Sequence, residues 1–223
     1  ENHGRISDPG AYVKALAAHA EAQGAQIIRA EVTDFVRENG RVTGVRAGGD
    51  TIACDAAVLA TGAWSKPLAS KLGLKAPLES ERGYHIVFAD AHGGPARPTM
   101  IASGKFVATP MAEGLRCAGV VEFGGLDAGP SRAPFALLRT QAEAAFPGLT
   151  ATREIEWMGH RPAPSDSLPL IGQIGQSRVY TAFGHHHIGL TGGPKTGRLI
   201  AGLIAGTPAN IDLTAYDPRR FTR

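Results

Sequence analysis

The sequence predicts a mixed α/β (α+β) fold with two lobes, one of which holds an antiparallel sheet. The fully apolar run Ala56–Ala60 is typical of a strand buried on both faces in a parallel sheet. Short alternating segments between residues 83 and 122 indicate antiparallel strands. Apolar residues recur at helical spacing in Arg132–Phe146, which predicts a helix.

The composition excludes several classes of protein. Of 223 residues, 43% are apolar and 19% charged, which argues against global disorder. The 29 glycines follow no Gly-X-Y period, so they indicate tight turns rather than collagen. The net charge is only +3 and no window gathers five or six like charges, so we expect no nucleic-acid partner. Cys54 and Cys117 form no metal or redox motif. The sequence contains no apolar run of about 18 residues, so it predicts no membrane span.

The first third of the chain predicts a helix followed by a small β-meander. Asp8 caps a helix that has Pro9 in its first turn and stops at Gly24. An Asn39-Gly40 turn signal predicts a hairpin. The predicted strands of this region are Ala25–Ala30, Val32–Val36, Arg41–Ala47, Thr51–Cys54 and Ala56–Ala60.

The remainder alternates between strands and three helices. The predicted strands are Gly83–Ala89, Lys105–Pro110, Leu115–Glu122, Arg153–Met158 and Val179–Phe183. The predicted helices are Pro67–Leu72, Arg132–Phe146 and Thr191–Ala205. No repeat of 20 to 50 residues is visible.

A glycine-rich segment, Phe183–Gly197, joins a predicted strand to a predicted helix. Such a turn exposes backbone N–H groups at the positive end of the helix dipole, where an anion is stabilised. A purely structural turn is an equal alternative, since neither phosphate-binding glycine fingerprint is present. Three adjacent histidines, His185–His187, are expected to point in different directions, so we predict no metal site.

Three further segments carry candidate site residues. Arg161 follows a strand-like run and could hold a carboxylate, the alternative being a structural pair with Asp166. Thr61-Gly62 ends the apolar strand, where a ligand can approach the backbone. Tyr84 lies in a polar and aromatic strand start that could line a pocket or form a surface edge.

These four segments, in this order, resemble the D-amino-acid-oxidase-type flavoenzymes, in the branch of glycine oxidase, sarcosine oxidase and bacterial D-amino-acid dehydrogenase. Leu59–Ser65 is similar to the family's internal FAD segment. Gly159–Gly172 is similar to its substrate-arginine motif, and Gly184–Gly197 to its closing flavin loop and helix. The resemblance extends from Arg5 to Gly206.

The resemblance implies roles for individual residues. Arg161 falls where the family anchors the substrate carboxylate, and His187 stands where glycine oxidase has an arginine. Phe106 replaces a tyrosine that faces the substrate in glycine oxidase, and we add Tyr84 as a further catalytic candidate. The implied FAD-binding residues are Val32, Thr61, Gly62, Gly184, His185, His186, His187, Ile188, Gly189, Leu190 and Thr191.

The fold implied by the resemblance is part of a two-domain FAD-linked reductase-like fold. Residues 1–66 would belong to the FAD-binding lobe, residues 67–158 to the antiparallel-sheet substrate lobe, and residues 159–223 to the FAD-binding lobe again. The family's opening strand, Gly-x-Gly-x-x-Gly turn and helix are not found in this sequence, so we expect a carboxyl-terminal half whose dinucleotide-binding half is a missing partner.

The implied activity is FAD-dependent oxidation of a D-amino acid or small secondary amino acid, by hydride transfer from Cα to flavin N5. Oxygen or a quinone would accept the electrons. The alternative is a non-catalytic binding module that does not hold FAD, and a nicotinamide dehydrogenase is disfavoured because no dinucleotide fingerprint is present. We expect a cytoplasmic location, with peripheral attachment to the inner membrane as an alternative.

Overall fold

The computed structural model describes residues 6–221, and these divide into two compact units. The first unit combines the segment up to Ile27 with Arg82–Gly159. The second combines Ile28–Glu81 with the segment from His160 onward. These bounds differ from the predicted segments 1–66, 67–158 and 159–223, and the assignment of cofactor and substrate lobes stays a prediction.

The described residues form four α-helices and eleven strands. The helices are α1 (Pro9–Ala22), α2 (Ser65–Lys71), α3 (Arg132–Ala145) and α4 (Gly189–Ile204). The strands are β1 (Val32–Glu38), β2 (Arg41–Ala47), β3 (Asp50–Ala53), β4 (Ala57–Leu59), β5 (Leu78–Ala89), β6 (Thr99–Ile101), β7 (Phe106–Met111), β8 (Gly114–Phe123), β9 (Arg153–Pro164), β10 (Leu170–Gln173) and β11 (Val179–Phe183). Short 3₁₀ turns occupy Gly62–Trp64, Thr214–Tyr216 and Pro218–Phe221.

Helix α1 begins where the sequence predicts. The Asp8 carboxylate accepts a hydrogen bond from the Ala11 N–H at 2.8 Å, which satisfies one of the free donors of the first turn. Pro9 stands at the first helical position, where its missing N–H costs nothing. No residue of α1 is buried in this structure.

The first unit is built on most of a five-stranded sheet with the order β6-β7-β8-β5-β9, in which β5 and β9 also extend into the second unit. The pairs β6–β7 and β7–β8 are antiparallel. Helix α3 contributes Phe135, Leu138 and Ala142 to the core beside the sheet. Their spacing of three and four residues matches one face of a helix, so the predicted antiparallel sheet and helix are both confirmed.

The second unit contains two three-stranded sheets. One is antiparallel in the order β1-β2-β3, and its first turn has Asn39 and Gly40 at φ +50° and +79°, as the hairpin signal predicts. The other has the order β10-β11-β4, with β11 and β4 parallel. The predicted parallel pairing of β4 is confirmed, but burial on both faces is wrong, because the Val58 side chain is 45% exposed.

Several predicted boundaries are corrected by the structure. Ala25–Ala30 is not a strand, and in the described residues no strand pairs with it. Strand β9 continues past Gly159 to Pro164; prolines are tolerated there because β9 is at the sheet edge, where fewer ladder donors are needed. The short strands β6 and β10 were not predicted. Within residues 6–221, no helix is both long enough and apolar enough to cross a membrane.

Candidate functional site

The centre of the candidate site is an ion pair between Arg161 on β9 and Glu81 on β5, both within the second unit. Arg161 Nη1 donates to Glu81 Oε1 at 2.9 Å. The Glu81 side chain is only 8% exposed, and that of Arg161 is 24% exposed. Loss of water around Glu81 strengthens the interaction, so the guanidinium is held in one direction.

Two of the three adjacent histidines contact the same carboxylate. His186 Nε2 lies 2.5 Å from Glu81 Oε2, and His187 Nε2 lies 3.0 Å from Glu81 Oε1. The backbone N–H of His186 also donates to the Pro162 carbonyl at 3.1 Å. These bonds attach the turn that follows β11 to both β5 and β9.

The expectation that the three imidazoles point in different directions is therefore wrong for His186 and His187, although His185 does point elsewhere. His186 has φ +51°, a left-handed conformation that brings the two rings to 4.2 Å between centroids, both beside Glu81. With Glu81, the two imidazoles offer three ligand atoms within 4.8 Å of one another, a spacing that one metal ion could bridge. Arg161 already supplies a positive charge to this carboxylate, and we assign no metal here.

The third histidine has a different environment. His185 Nε2 lies 2.8 Å from the Thr196 hydroxyl on α4. Burial lowers the pKa of His185 below its ordinary value of 6.5. Burial also lowers the pKa of His187, an effect that Glu81 opposes and that Arg161 and His186 reinforce. Both shifts favour neutral imidazoles near pH 7.

The histidine turn leads into the amino end of α4. Ile188 precedes the helix without a side-chain cap, and the first turn has no acidic residue. The first hydrogen bond of the helix is donated by the Gly192 N–H to the Ile188 carbonyl at 2.7 Å. The N–H groups of Gly189, Leu190 and Thr191 come before this bond, so the helix itself offers them no acceptor. Gly189, Leu190 and Thr191 are exposed, and this helix end can stabilise negative charge.

The predicted residues Thr61 and Gly62 lie at the same sheet edge as this turn. Because β4 and β11 are parallel, with Leu59 opposite Thr181, their carboxyl ends point the same way. The exposed Thr61 bonds to the Ser65 hydroxyl at 3.0 Å, and Gly62 has φ +56°. Ligands of α/β sheets bind at this edge. Val32 begins β1 and packs against the core of the second unit.

Tyr84 and Phe106 require a correction, since both are interior residues of the first unit. The Tyr84 side chain is fully buried, with its hydroxyl donating to Glu122 at 2.6 Å and accepting from Arg82 at 2.8 Å and the Ser131 N–H at 3.1 Å. Phe106 is 1% exposed and packs in the same core. Neither side chain presents a surface to a substrate in this structure, so we do not retain them as substrate contacts.

The structure also separates Asp166 from Arg161. Asp166 accepts two hydrogen bonds from Arg220, at 2.7 and 3.0 Å. Arg220 lies 54 positions from Asp166 and holds the pKa of this carboxyl below its usual range. The acid that does pair with Arg161, Glu81, was missed by sequence reasoning. Glu81 stands among the polar residues Glu79, Ser80 and Arg82 at the start of β5, so its sequence neighbours carry no signal that could have identified it.

The site combines parallel strands that end beside a glycine-rich turn, an uncapped helix start and a fixed arginine. This combination is typical of a ligand-binding α/β protein with a site for anionic groups. The family profile "FAD dependent oxidoreductase" (DAO) matches residues 1–203. The chain belongs to this family of FAD-dependent oxidoreductases.

Curated relatives match nearly the whole chain but only about half of their own length. A D-amino-acid oxidase of Bradyrhizobium diazoefficiens is 43% identical over 226 aligned positions, which cover 99% of this chain and 54% of the relative. D-amino acid dehydrogenase 2 of Pseudomonas aeruginosa is 35% identical over 219 positions, 96% of this chain and 52% of the relative.

Solved structures agree on the fold. The L-proline dehydrogenase of P. horikoshii superposes with a TM-score of 0.84 at 24% identity, over 97% of this chain and 60% of that one. The glycine oxidase of Geobacillus kaustophilus gives a TM-score of 0.77 at 25% identity, over 93% of this chain and 56% of that one. The predicted fold class, a partial FAD-linked reductase-like fold of mixed α/β type, is thereby confirmed.

Proposed function

We propose that the protein containing this chain binds FAD and oxidises an amino acid to the imino acid. The observation that carries this proposal is the Arg161 guanidinium, fixed by Glu81 and flanked by the histidine turn at the start of α4. A planar guanidinium held in one direction is suited to binding a carboxylate through two hydrogen bonds.

The residues of the second unit fit FAD. Gly184 has φ +86° and keeps the backbone of the turn close to Pro164, where a side chain would collide. The apolar side chains of Ile188 and Leu190 are 55% and 44% exposed, which offers surface to a flat ring system. When bound, FAD supplies the redox chemistry, since its N5 accepts a hydride from the substrate Cα.

The chain's own residues would bind and orient the substrate. Arg161 would hold the carboxylate, which fixes the direction of the Cα–H bond. The amino end of α4 would stabilise negative charge on the reduced cofactor through the N–H groups of Gly189 to Thr191. His187 is half-exposed beside Arg161, and its lowered pKa keeps it neutral and able to accept a hydrogen bond.

The substrate class we propose is a D-amino acid or a small secondary amino acid. Relatives named D-amino-acid oxidase, D-amino acid dehydrogenase and glycine oxidase support this class. The electron acceptor we propose is oxygen or a quinone.

The test is flavin reduction without oxygen. The longest natural form of the protein that contains these residues is loaded with FAD and mixed with D-amino acids, glycine, sarcosine, D-proline and L-proline. We expect loss of the oxidised-flavin absorbance with one subset of these compounds, and reoxidation by oxygen or by a soluble quinone identifies the acceptor. A protein that holds no FAD would instead be a binding module, and FAD binding without reduction by any amino acid would contradict the substrate class.

A further inference from the structure

Resting on the function proposed above, we propose that Glu81 determines specificity: it makes the Arg161 site prefer zwitterionic amino acids over carboxylates that lack an amine. Glu81 lies in the middle of the site, with Arg161 Nη1 at 2.9 Å, His187 Nε2 at 3.0 Å and His186 Nε2 at 2.5 Å.

The charges of Arg161 and Glu81 sum to zero. Arg161 carries one positive charge and Glu81 carries one negative charge, and the lowered pKa of His187 favours a neutral imidazole there. Both oxygens of Glu81 are engaged by these three side chains, and its side chain is 8% exposed. Low exposure to water makes the negative charge act strongly on any ligand of Arg161.

Binding of a carboxylate that lacks an amine to Arg161 is therefore only weakly favourable. The guanidinium has five N–H donors, and its bond to Glu81 leaves donors with which to hold a ligand. However, the ligand's negative charge then lies near that of Glu81, and two close carboxylates repel each other. The repulsion cancels much of the attraction by Arg161.

An α-amino acid avoids this repulsion. Its ammonium group is one carbon atom away from the carboxylate, so it can approach Glu81 while Arg161 holds the carboxylate. Opposite charges at this distance attract in a poorly solvated site. His187 presents Nε2 to Glu81, so Nδ1 is on the opposite side of the half-exposed ring and can accept a hydrogen bond. The oppositely charged side chains of Arg161 and Glu81 thus match a ligand that carries both charges.

The test compares matched ligands on the FAD-loaded protein in its longest natural form. Calorimetry measures the Kd of acetate and propionate, which lack the amine of glycine and D-alanine, and steady-state kinetics measures the KM of the amino acids. We expect Glu81→Gln to tighten propionate about tenfold or more and to raise the KM of the oxidised amino acid. Glu81→Asp keeps the charge and should retain the wild-type preference.

Glu154→Gln is the matched control. Glu154 accepts two hydrogen bonds from Arg139 in a surface ion pair of the first unit, so its loss should leave both measurements unchanged. If Glu81→Gln does not fold, the wild-type protein tests the preference directly, because propionate should bind at least tenfold more weakly than D-alanine.

Two results would overturn the inference, and they are distinguishable. Unchanged propionate affinity in Glu81→Gln, with amino acids still reducing the flavin, rejects the role of Glu81 but leaves the proposed function intact. Where Glu81→Gln does not fold, propionate binding by the wild-type protein as tight as that of the matched amino acid rejects the preference and leaves the proposed function intact. If neither propionate nor any amino acid binds the wild-type protein, and no flavin reduction occurs, both proposals fail together.

Discussion

Arg161 and Glu81 are 80 positions apart in the sequence, and Nη1 of one lies 2.9 Å from Oε1 of the other. The pair joins β9 to β5 within the second unit and also receives the side chains of His186 and His187. Since the carboxylate is almost buried, the pair orients a guanidinium that is itself partly open to a ligand. Through His186 and His187 the pair is attached to the turn that leads into α4.

The turn before α4 should tolerate no side chain at residue 184. Gly184 has φ +86°, and a Cβ there would lie 2.7 Å from Pro164 Cγ. We expect Gly184→Ala to lower the free energy of unfolding by about 2 kcal/mol, through backbone strain and this collision. Gly193→Ala is the control, because a Cβ at Gly193 meets nothing within 4 Å and alanine favours the helix. Equal stability of the two variants in urea unfolding would contradict the argument.

Tyr84 should act on stability and not on catalysis. Its buried hydroxyl has partners in Arg82, Glu122 and the Ser131 N–H. Tyr84→Phe leaves those groups with one partner fewer, so we expect a loss of about 1–3 kcal/mol in the free energy of unfolding. The kcat should stay unchanged. Tyr12→Phe, on a helix with no buried residue, is the control, and a large loss of kcat in Tyr84→Phe would restore Tyr84 as a catalytic residue.

Acid should destabilise the fold through His185. Burial lowers the pKa of His185 below 6.5, so between that lowered pKa and about 6.5 the unfolded chain binds more protons than the folded one. Stability is therefore fully present above about pH 6.5 and is lost as the pH falls below it. Urea unfolding at several pH values should show a smaller acid-induced loss in His185→Gln. An identical pH dependence in both proteins would disprove the contribution.

The two cysteines should differ in reactivity. Burial raises the pKa of the Cys117 thiol to about 12, so almost no thiolate exists near neutral pH. Cys54 is only partly buried, and burial raises its pKa as well. We expect a thiol reagent to modify Cys54 slowly in the native protein and Cys117 only after denaturation, as peptide mapping by mass spectrometry can show. Cys54→Ser is the control, and fast native labelling of Cys117 would be inconsistent with its burial.

Much of the fold could be predicted because its signals are local. Helix α1 has its cap at Asp8 and Pro9, the first hairpin has its turn at Asn39-Gly40, and α3 repeats apolar residues at helical spacing. Ala25–Ala30 has a strand-like composition, but a strand also needs a neighbour to pair with, which composition does not reveal.

The site was only partly predictable because its central contact is not local. Arg161 and the histidine turn stand out by residue type and position. Glu81 joins the site only because β5 and β9 bring it to Arg161, which is 80 positions away in the sequence. The conformation of His186 is likewise set by its backbone bond to Pro162 and its contact with Glu81. Tyr84 shows the reverse error, since a polar aromatic at a strand start gives no sign of whether its hydroxyl will be buried.

The most direct test of the account is flavin reduction by the substrate in Arg161→Ala. Because the guanidinium is assigned to the substrate carboxylate and not to the cofactor, the variant should retain wild-type flavin content. Its rate of anaerobic flavin reduction should rise linearly with amino-acid concentration instead of saturating. The second-order rate constant of this reduction should fall by about a hundredfold or more. Arg139→Ala, which removes a surface arginine paired with Glu154, is the control. Unchanged saturation by substrate in Arg161→Ala would contradict the assignment of the site.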